Sequence, residues 1–286
     1  MTDTITLAAP AKVNLVLRVL AREDSGYHGL ETLFCRLALA DGLTAERRPG
    51  AGVTLDVDGA DVGPAEDNLA VRGALAALAL LRSPFAVHLR LTKRIPVGAG
   101  LGGGSSDAAA ALQAVNALAG HPLPRHELLQ CAARLGSDVA FCFSGASLAL
   151  GWGHGERLLT LPPLPAAPVL LLTPPAPVRT AEAYGWVDAA HQGAWRRGAV
   201  ALDLDALATW GSIARLAGND FESVVFARLP AVRAAFEALV ATRPLLCRMS
   251  GSGSTLFAVY RTAAEREDAA MMLGRKHGQV TATETS

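Results

Sequence analysis

The chain has 286 residues, of which 51% are hydrophobic and 18% charged, and this predicts one large domain or two ordinary ones with ample core. Its 26 basic and 26 acidic residues give a formal net charge of zero, which argues against nucleic acid as a partner. The N-terminus lacks the basic and apolar regions of a signal peptide, and no apolar run is long enough to cross a membrane. We therefore expect a cytoplasmic protein with no membrane partner, whose four cysteines are reduced and mostly buried.

The first predicted element runs from Thr4 to Leu20, as one long bent strand or a strand pair. Alternation of side chains places Lys12 and Asn14 on the same face. Two interpretations of this shared face are open: an ordinary edge strand whose polar residues are solvated, or a strand whose polar side chains point into a functional site. A turn-rich stretch then sets Tyr27 beside His28, where packing and ligand binding are both open interpretations.

More strand structure is predicted from Leu39 to Val62. The pair Asp67-Asn68 is typical of a helix cap and predicts a helix from Leu69 to about Arg82. The run from Phe85 to Thr92 alternates apolar and polar residues, as a half-exposed strand does.

A glycine-rich stretch follows, Pro96 to Asp107, reading Pro-Val-Gly-Ala-Gly-Leu-Gly-Gly-Gly-Ser-Ser-Asp. Glycine lets the backbone approach a ligand closely, and Ser105 or Ser106 is placed to cap a helix over the Ala-rich run Ala108 to Ala119. A helix N-terminus offers unpaired N–H groups to an anion, so we expect a phosphate site. A flexible connection is the alternative.

Two familiar phosphate-binding patterns do not fit this stretch. Gly98, Gly100 and Gly103 match the spacing of a dinucleotide fingerprint, but the acidic residue required about 20 positions later is replaced by Leu123. No Gly-Lys-Ser/Thr sequence closes the loop as in a P-loop. A phosphate loop of another kind remains, whose two serines can offer hydroxyls to phosphate or Mg²⁺.

An acidic residue, Asp138, lies at the edge of an apolar run just after a predicted helix from Arg125 to Leu135. It is typical of a helix or turn cap, and equally of a buried carboxylate. A buried carboxylate needs a partner cation, for which Lys12 is the candidate.

The rest of the chain carries fewer motifs. We place a domain boundary near residue 155, which divides the chain into residues 1–155 and 156–286. The further predictions are a buried strand Val169 to Leu172, helical structure Val187 to Leu216, helices starting at Asn219 and Val232, a Gly/Ser loop between apolar runs at Ser250 to Thr255, a helix Ala263 to Gly274, and a disordered tail Thr281 to Ser286.

Several of these segments resemble one family. The segment Pro96 to Ala108 closely resembles the central motif of the GHMP kinases, written roughly as Pro-x-x-x-Gly-Leu-Gly-Ser-Ser-Ala. The segment Pro10 to Leu15 resembles the first motif of that family, and Ser250 to Gly253 resembles the third. Gly136 to Val139 is similar to the segment that carries the catalytic Asp, although Ala140 stands where the family commonly has Pro.

The sequence Gly-Tyr-His at residues 26–28 is similar to one branch of the family, in which the Tyr stacks on a cytosine and the His reads the base edge. Thr180 and Tyr184 match a shorter pattern of that branch, in which the aromatic covers the second face of the base. The resemblance implies an α+β fold of two domains, the first similar to the second domain of ribosomal protein S5 and the second ferredoxin-like.

The resemblance also implies roles for individual residues. Lys12 and Asp138 would be catalytic, and Asn14, Tyr27, His28, Thr180 and Tyr184 would bind the acceptor substrate. The ATP site would comprise Pro96, Val97, Gly98, Ala99, Gly100, Leu101, Gly102, Gly103, Gly104, Ser105 and Ser106, with Asn68 and Lys93 near the adenine. Mg²⁺ is implied without a readable ligand set, and Ser105 or Ser106 is the candidate.

The implied activity is ATP-dependent phosphorylation of the 2-hydroxyl of a methylerythritol that carries cytidine diphosphate, in the non-mevalonate route to isoprenoids. Another GHMP kinase, of the mevalonate, homoserine or galactose type, is the nearer alternative. A non-catalytic nucleotide-binding or RNA-binding module is the distant one. The expected partner is a small molecule, and the protein is expected to be a monomer or a weak homodimer.

Overall fold

The computed structural model describes residues 3–24, 26–82, 84–191 and 203–286. The chain forms two compact units. The first unit comprises Met1–Lys12, Leu39–Val97 and Gly102–Ala146, and the second comprises Val13–Ala38, Gly98–Leu101 and Ser147–Ser286. The predicted domain division at residue 155 stays a prediction.

Each unit contains both helices and strands, so the predicted α+β class is confirmed. In chain order they are β1 Thr4–Arg22, β2 His28–Arg48, β3 Val53–Asp58, α1 Leu69–Leu80, β4 Ala86–Thr92, α2 Gly103–Leu118, α3 Arg125–Leu135, α4 Ser137–Ser144, β5 Leu148–Gly153, β6 Arg157–Thr160, β7 Pro168–Thr173, α5 Thr180–His191, α6 Trp210–Leu216, β8 Gly218–Asn219, α7 Phe221–Arg228, α8 Pro230–Ala241, β9 Leu246–Met249, β10 Leu256–Val259, α9 Ala263–Leu273 and β11 Gln279–Glu284.

The first unit packs helices against a sheet. Strand β4 pairs in parallel with β3 and antiparallel with the second half of β2. Helices α1 and α2 bury their alanines in one core with the apolar side chains of these strands. A Cβ on Gly73 of α1 would lie 2.6 Å from the backbone oxygen of Ala108, so this close helix contact requires glycine.

The second unit contains an antiparallel sheet in the order β11-β7-β10-β9. Buried residues of α5, α7 and α8, among them Ala183, Val225 and Leu239, form its core with the sheet. Strand β5 pairs antiparallel with the first half of β2 and with β6. Strand β8 pairs in parallel with β1 at Val16 and Leu17.

The predicted disordered tail is wrong. Residues 279–284 form β11, which pairs along its whole length with β7. The backbone N–H of Thr285 also donates to Ala167, and its Oγ1 accepts from the N–H of the same residue. The tail is polar because most of its side chains lie at a sheet edge, and the stabilising contacts come from a strand more than 100 positions earlier.

The start of α2 also differs from the prediction. The helix begins at Gly103, so Ser105 and Ser106 lie within it and cap nothing. Its N-cap is Gly102, which adopts the left-handed conformation with φ of 69°. Glycine reaches this conformation without strain, which explains why the helix starts inside the glycine run.

Other predicted elements agree closely with the structure. Helix α3 has the predicted bounds, and α1 ends two residues earlier than expected. The predicted helical segment Val187 to Leu216 corresponds to the end of α5 and to α6, and residues 192–202 of it lie outside the described residues. None of the helices described is long and apolar enough to cross a membrane.

Candidate active site

The start of α2, in the first unit, lies beside the side chain of Lys12. Helix geometry leaves its first N–H groups without an intrahelical acceptor, and Gly102 contributes no capping side chain. A Cβ on Gly102 would lie 2.8 Å from Cγ and 2.9 Å from Cε of Lys12. The missing side chain therefore leaves room for the lysine stem directly beside the helix N-terminus. This arrangement suits an anion such as a nucleotide phosphate.

The ammonium of Lys12 lies 3.1 Å from the Oδ2 atom of Asp138, so the predicted pairing is confirmed. The lysine side chain is buried, whereas the aspartate side chain is 34% exposed. Asp138 lies in the first turn of α4 and does not cap that helix. A carboxylate that keeps solvent access while contacting a buried cation can accept a proton from a ligand hydroxyl.

A second lysine, Lys93, has a different setting near the same helix. Its Nζ donates to Asp107 at 2.7 Å and also to Asp41, and all three side chains are buried. Asp41 further accepts from the backbone N–H groups of Arg94 and Ile95, at 2.6 and 2.8 Å. We name these three residues, Asp41, Lys93 and Asp107, the buried ion cluster. Asp41 holds the backbone that enters the glycine stretch, and Asp107 lies in the second turn of α2.

Burial shifts the pKa values of Asp107 and Lys93 in opposite directions. Loss of solvation raises the pKa of Asp107 from 3.8 to about 7, although the nearby ammonium of Lys93 pulls it down. Burial lowers the pKa of Lys93, but the two carboxylates outweigh it and raise that pKa overall. The Oδ1 atom of Asp107 is buried and has no hydrogen-bond partner among the described residues.

Asn68 serves as the N-cap of α1, where its Oδ1 accepts from the backbone N–H of Ala70 at 2.9 Å. The capping interpretation is therefore confirmed. Its position near an adenine, like that of Lys93, stays a prediction. The side chain of Lys93 is 4% exposed and its contacts are those of the buried ion cluster.

In the second unit, the first part of the glycine stretch packs on the Gly/Ser loop 250–255. The hydroxyl of Ser250 donates to the backbone oxygen of Gly100 at 2.8 Å, and the N–H of Thr255 donates to Ala99. A Cβ on Gly100, whose φ is 79°, would lie 2.3 Å from the backbone oxygen of Ser250. The two motifs that the resemblance names separately are in direct contact here.

Two asparagines hold this Gly/Ser loop. Asn219 donates from Nδ2 to the backbone oxygens of Met249 and Gly251, at 2.7 and 2.8 Å. Asn14 accepts from the N–H of Gly251 at 3.1 Å and donates to Thr32 at 2.8 Å. Asn14 is buried, so the solvated edge-strand interpretation is wrong for it, as it is for Lys12. The structure therefore gives Asn14 a bracing contact, and its substrate contact stays a prediction.

The turn before β2 presents Tyr27. Its backbone oxygen accepts from the N–H of Glu23 at 2.7 Å, and its ring stacks on His154 at 5.2 Å between centroids. The imidazole of His154 in turn contacts the carboxylate of Glu23 at 3.0 Å. The stacking on His154 holds the Tyr27 ring, yet Tyr27 is 66% exposed. An exposed ring in a fixed position suits stacking on a ligand ring.

His28 is buried next to Tyr27 in the chain. Its ring stacks on that of Tyr184 at 5.0 Å, and its Nε2 lies 2.6 Å from Oδ1 of Asp188. Tyr184 packs edge-on against Phe221. On the same helix, the hydroxyl of Thr180 lies 3.0 Å from that of Ser252 in the Gly/Ser loop. The acceptor residues predicted on α5 and at residue 28 therefore lie together.

Sequence reasoning missed three residues that position predicted site residues: Asp41 in the first unit, and Asn219 and Asp188 in the second. Asp41 and Asn219 act through contacts distant in sequence, so no local pattern marks them. Asp188 did leave a signal, because Thr180, Tyr184 and Asp188 are spaced by four and share one helix face.

The described residues contain no group of three or more His, Cys, Asp and Glu side chains placed to hold a metal ion. The predicted Mg²⁺ stays a prediction. Ser105 and Ser106 lie near the start of α2, and their role as Mg²⁺ ligands stays a prediction.

Comparison with known proteins agrees with this geometry. The family models for the GHMP kinases N terminal domain and the GHMP kinases C terminal match residues 68–146 and 201–279. A 4-diphosphocytidyl-2-C-methyl-D-erythritol kinase of Moorella thermoacetica is 41% identical over 280 residues, covering 96% of this chain and 95% of the relative. The protein of the same name from Solibacter usitatus is 40% identical, covering 89% of this chain and 81% of the relative.

The chain belongs to the 4-diphosphocytidyl-2-C-methyl-D-erythritol kinase family of GHMP kinases.

Solved structures agree with this family. A crystal structure of a 4-(cytidine 5'-diphospho)-2C-methyl-D-erythritol kinase matches with a TM-score of 0.81 and 34% identity, covering 99% of both chains. A homoserine kinase from Cytophaga hutchinsonii has a TM-score of 0.75 at 21% identity and shares the fold. The two-domain GHMP kinase fold implied by the motifs is confirmed.

Proposed function

We propose that this protein transfers the γ-phosphoryl group of ATP to the 2-hydroxyl of 4-diphosphocytidyl-2-C-methyl-D-erythritol, in the non-mevalonate route to isoprenoid precursors. The observation that carries the proposal is the Lys12–Asp138 pair beside the Gly102 N-cap, in a chain about 40% identical to kinases named for this substrate. The reaction forms a bond between the substrate oxygen and the γ-phosphorus and breaks the bond between that phosphorus and the β,γ-bridging oxygen. ADP leaves, and the hydroxyl proton is taken up by a base.

Asp138 is the proposed base. Its carboxylate is partly exposed, so it can reach a ligand hydroxyl, and the buried ammonium of Lys12 stabilises its charged form. Lys12 also lies beside the N-terminus of α2, where it offsets the negative charge that develops on the transferred group.

Backbone N–H groups between Gly98 and Ser106 are proposed to hold the ATP phosphates. The left-handed conformations of Gly98, Gly100 and Gly102 turn the backbone there, and α2 adds the positive end of its dipole. Mg²⁺ neutralises phosphate charge when bound, with the hydroxyl of Ser105 or Ser106 as a candidate ligand.

The acceptor is recognised, in this proposal, by its cytosine. Tyr27 offers an exposed ring held in place by His154, and base stacking on such a ring contributes about 1–3 kcal/mol. His28 meets the polar edge of the base, and Tyr184 and Thr180 complete the acceptor site on α5. A site that hydrogen-bonds one edge rejects analogues with a different edge.

The decisive experiment is ³¹P NMR of the protein with Mg-ATP and the cytidine diphosphate substrate. We expect ADP and a new phosphomonoester signal, and a panel of mevalonate, homoserine and galactose to remain unphosphorylated. Phosphorylation of a panel member instead would indicate another GHMP kinase activity. ATP hydrolysis that is indifferent to every acceptor, or no turnover at all, would contradict the proposal.

A second measurement compares kcat/KM for the cytidine substrate and its uridine analogue. We expect wild type to prefer cytidine strongly, His28→Ala to shrink the preference, and Tyr27→Ala to weaken both substrates without changing their ratio. The KM for ATP should stay constant in both variants. An unchanged ratio in His28→Ala would remove His28 from base recognition.

A further inference from the structure

Helix α5 holds the ring of His28 at two places. Tyr184 covers one ring face at 5.0 Å, and the Oδ1 atom of Asp188 lies 2.6 Å from the ring nitrogen Nε2. The His28 side chain is buried, whereas that of Asp188 is 32% exposed. Among the described residues, the exposed Arg22 also lies near this carboxylate, with its Nη1 3.9 Å from Oδ2.

A carboxylate only accepts hydrogen bonds, so the nitrogen that faces it must carry a hydrogen. This assigns the hydrogen of a neutral His28 ring to Nε2. The other nitrogen, Nδ1, then has its lone pair and acts as an acceptor. Carboxylates fix the tautomer and ring orientation of metal-binding histidines in the same way.

We infer that Asp188 is the residue that makes this protein choose cytosine over uracil, because it holds His28 as the tautomer that accepts at Nδ1. The inference rests on the proposed function, in which His28 meets the polar edge of the base. Cytosine has an amino group at position 4, where uracil has a carbonyl oxygen. An acceptor at Nδ1 pairs with the amino group and opposes the carbonyl oxygen. Asp188 is thus a positioning residue, which acts on the substrate through His28.

The opposite assignment has a distinct consequence. A His28 ring with its hydrogen on Nδ1, or on both nitrogens, would donate to the base and favour the carbonyl oxygen of uracil. The charge state and tautomer of one buried ring therefore decide between two substrates that otherwise have the same shape.

The first test needs no substrate. Nitrogen NMR of histidine-labelled wild-type protein is expected to show a protonated Nε2 and an unprotonated Nδ1 for His28. In Asp188→Ala we expect this single state to be replaced by averaging over both tautomers. A wild-type ring protonated at Nδ1, or at both nitrogens, at the pH of the assay overturns the inference.

The second test is kinetic. In Asp188→Ala the ratio of kcat/KM for the cytidine substrate to that for the uridine substrate is expected to fall by roughly tenfold, the scale of one hydrogen bond to a buried group. The KM for ATP should not change. Glu182→Ala is the matched control, because Glu182 is an exposed carboxylate on the same helix. It should leave the ratio at the wild-type value, and an unchanged ratio in Asp188→Ala overturns the inference.

Failure of the inference and failure of the proposed function give different results. If wild type does not phosphorylate the cytidine substrate, the proposed function fails while the ring state of His28 is still measured. If wild type is active and Asp188→Ala keeps its preference, only the role of Asp188 fails.

A third measurement applies even if Asp188→Ala does not fold. Wild-type protein is mixed with substrate labelled at the cytosine 4-amino nitrogen, and scalar coupling across the hydrogen bond is measured. Coupling between that nitrogen and Nδ1 of His28 is expected. Its absence in the saturated complex overturns the inference.

Discussion

Lys12 and Lys93 each lie beside a glycine at the start of α2. The carboxylate that Lys12 contacts is partly exposed to solvent, whereas those that Lys93 contacts are buried. Lys12 fills the space beside Gly102 and contacts Asp138, which is 34% exposed. Lys93 lies 3.3 Å from where a Cβ on Gly103 would be, and it contacts Asp41 and Asp107, both buried.

The comparison separates a pair able to do chemistry from a cluster that holds structure. A carboxylate with solvent access can exchange a proton with a ligand, as the pair Lys12–Asp138 requires. The side chains of the buried ion cluster are at most 4% exposed, so its contribution is to position the backbone that leads into the proposed phosphate site. Removing one partner from the Lys12–Asp138 pair should therefore lower turnover, whereas removing one from the buried ion cluster should lower stability.

The largest expected effect is on turnover. Asp138→Asn should lower kcat by about two to four decades, since a positioned base contributes on that scale. ATP affinity by calorimetry and the thermal midpoint should stay near wild type, because the amide keeps the shape of the side chain. A variant with nearly wild-type kcat would show that Asp138 is not the base.

The next effect is on stability. Lys93→Met should lower the free energy of unfolding by about 3–5 kcal/mol, because it leaves two buried carboxylates without their cation. Urea denaturation measures this loss. Lys12→Met is the matched control. It should lose much less stability, because the carboxylate of Asp138 can be solvated, and its kcat should fall. Equal stability losses in the two variants would contradict the distinction.

The buried ion cluster also predicts a pH dependence. The pKa of Asp107 is raised from 3.8 to about 7, so the folded protein binds a proton that the unfolded chain has released in that range. Stability from this residue is therefore present below about pH 4 and is lost as the pH rises towards 7, by up to about 1.4 kcal/mol per pH unit.

Asp107→Asn should remove that decline, because an amide does not titrate. Urea denaturation at several pH values from 4 to 7 checks the slope of wild type against that of the variant. Parallel slopes in the two proteins would show that Asp107 is ionised throughout the range.

The smallest expected effect comes from the glycines themselves. Gly102→Ala should cost about 1–2 kcal/mol of stability, since a side chain is strained at a φ of 69°. It should also lower kcat, because the new Cβ displaces the stem of Lys12. Gly104→Ala is the matched control for stability: its Cβ has 3.5 Å to its nearest neighbour, and the helix should gain about 0.5–1 kcal/mol. Equal melting temperatures for the two variants would contradict this reasoning.

Sequence patterns alone determined the helices with clear caps, the half-exposed strand before the glycine stretch and the pairing of Lys12 with Asp138. These features depend on local periodicity, on capping residues or on motifs that resemble the family. The resemblance also placed Tyr27, His28, Thr180 and Tyr184 in one functional group, although their contacts with substrate stay predictions.

The tertiary structure decided what no local pattern carries. Strand β11 forms because β7 has an edge that accepts it, and Asp41 belongs to the buried ion cluster because the sheet brings it to Lys93, 52 positions later. Asp188 reaches His28 across 160 positions. The physical reason is the same in each case: the stabilising partner of a polar group is chosen by the fold, whereas the sequence nearby shows only that the group needs one.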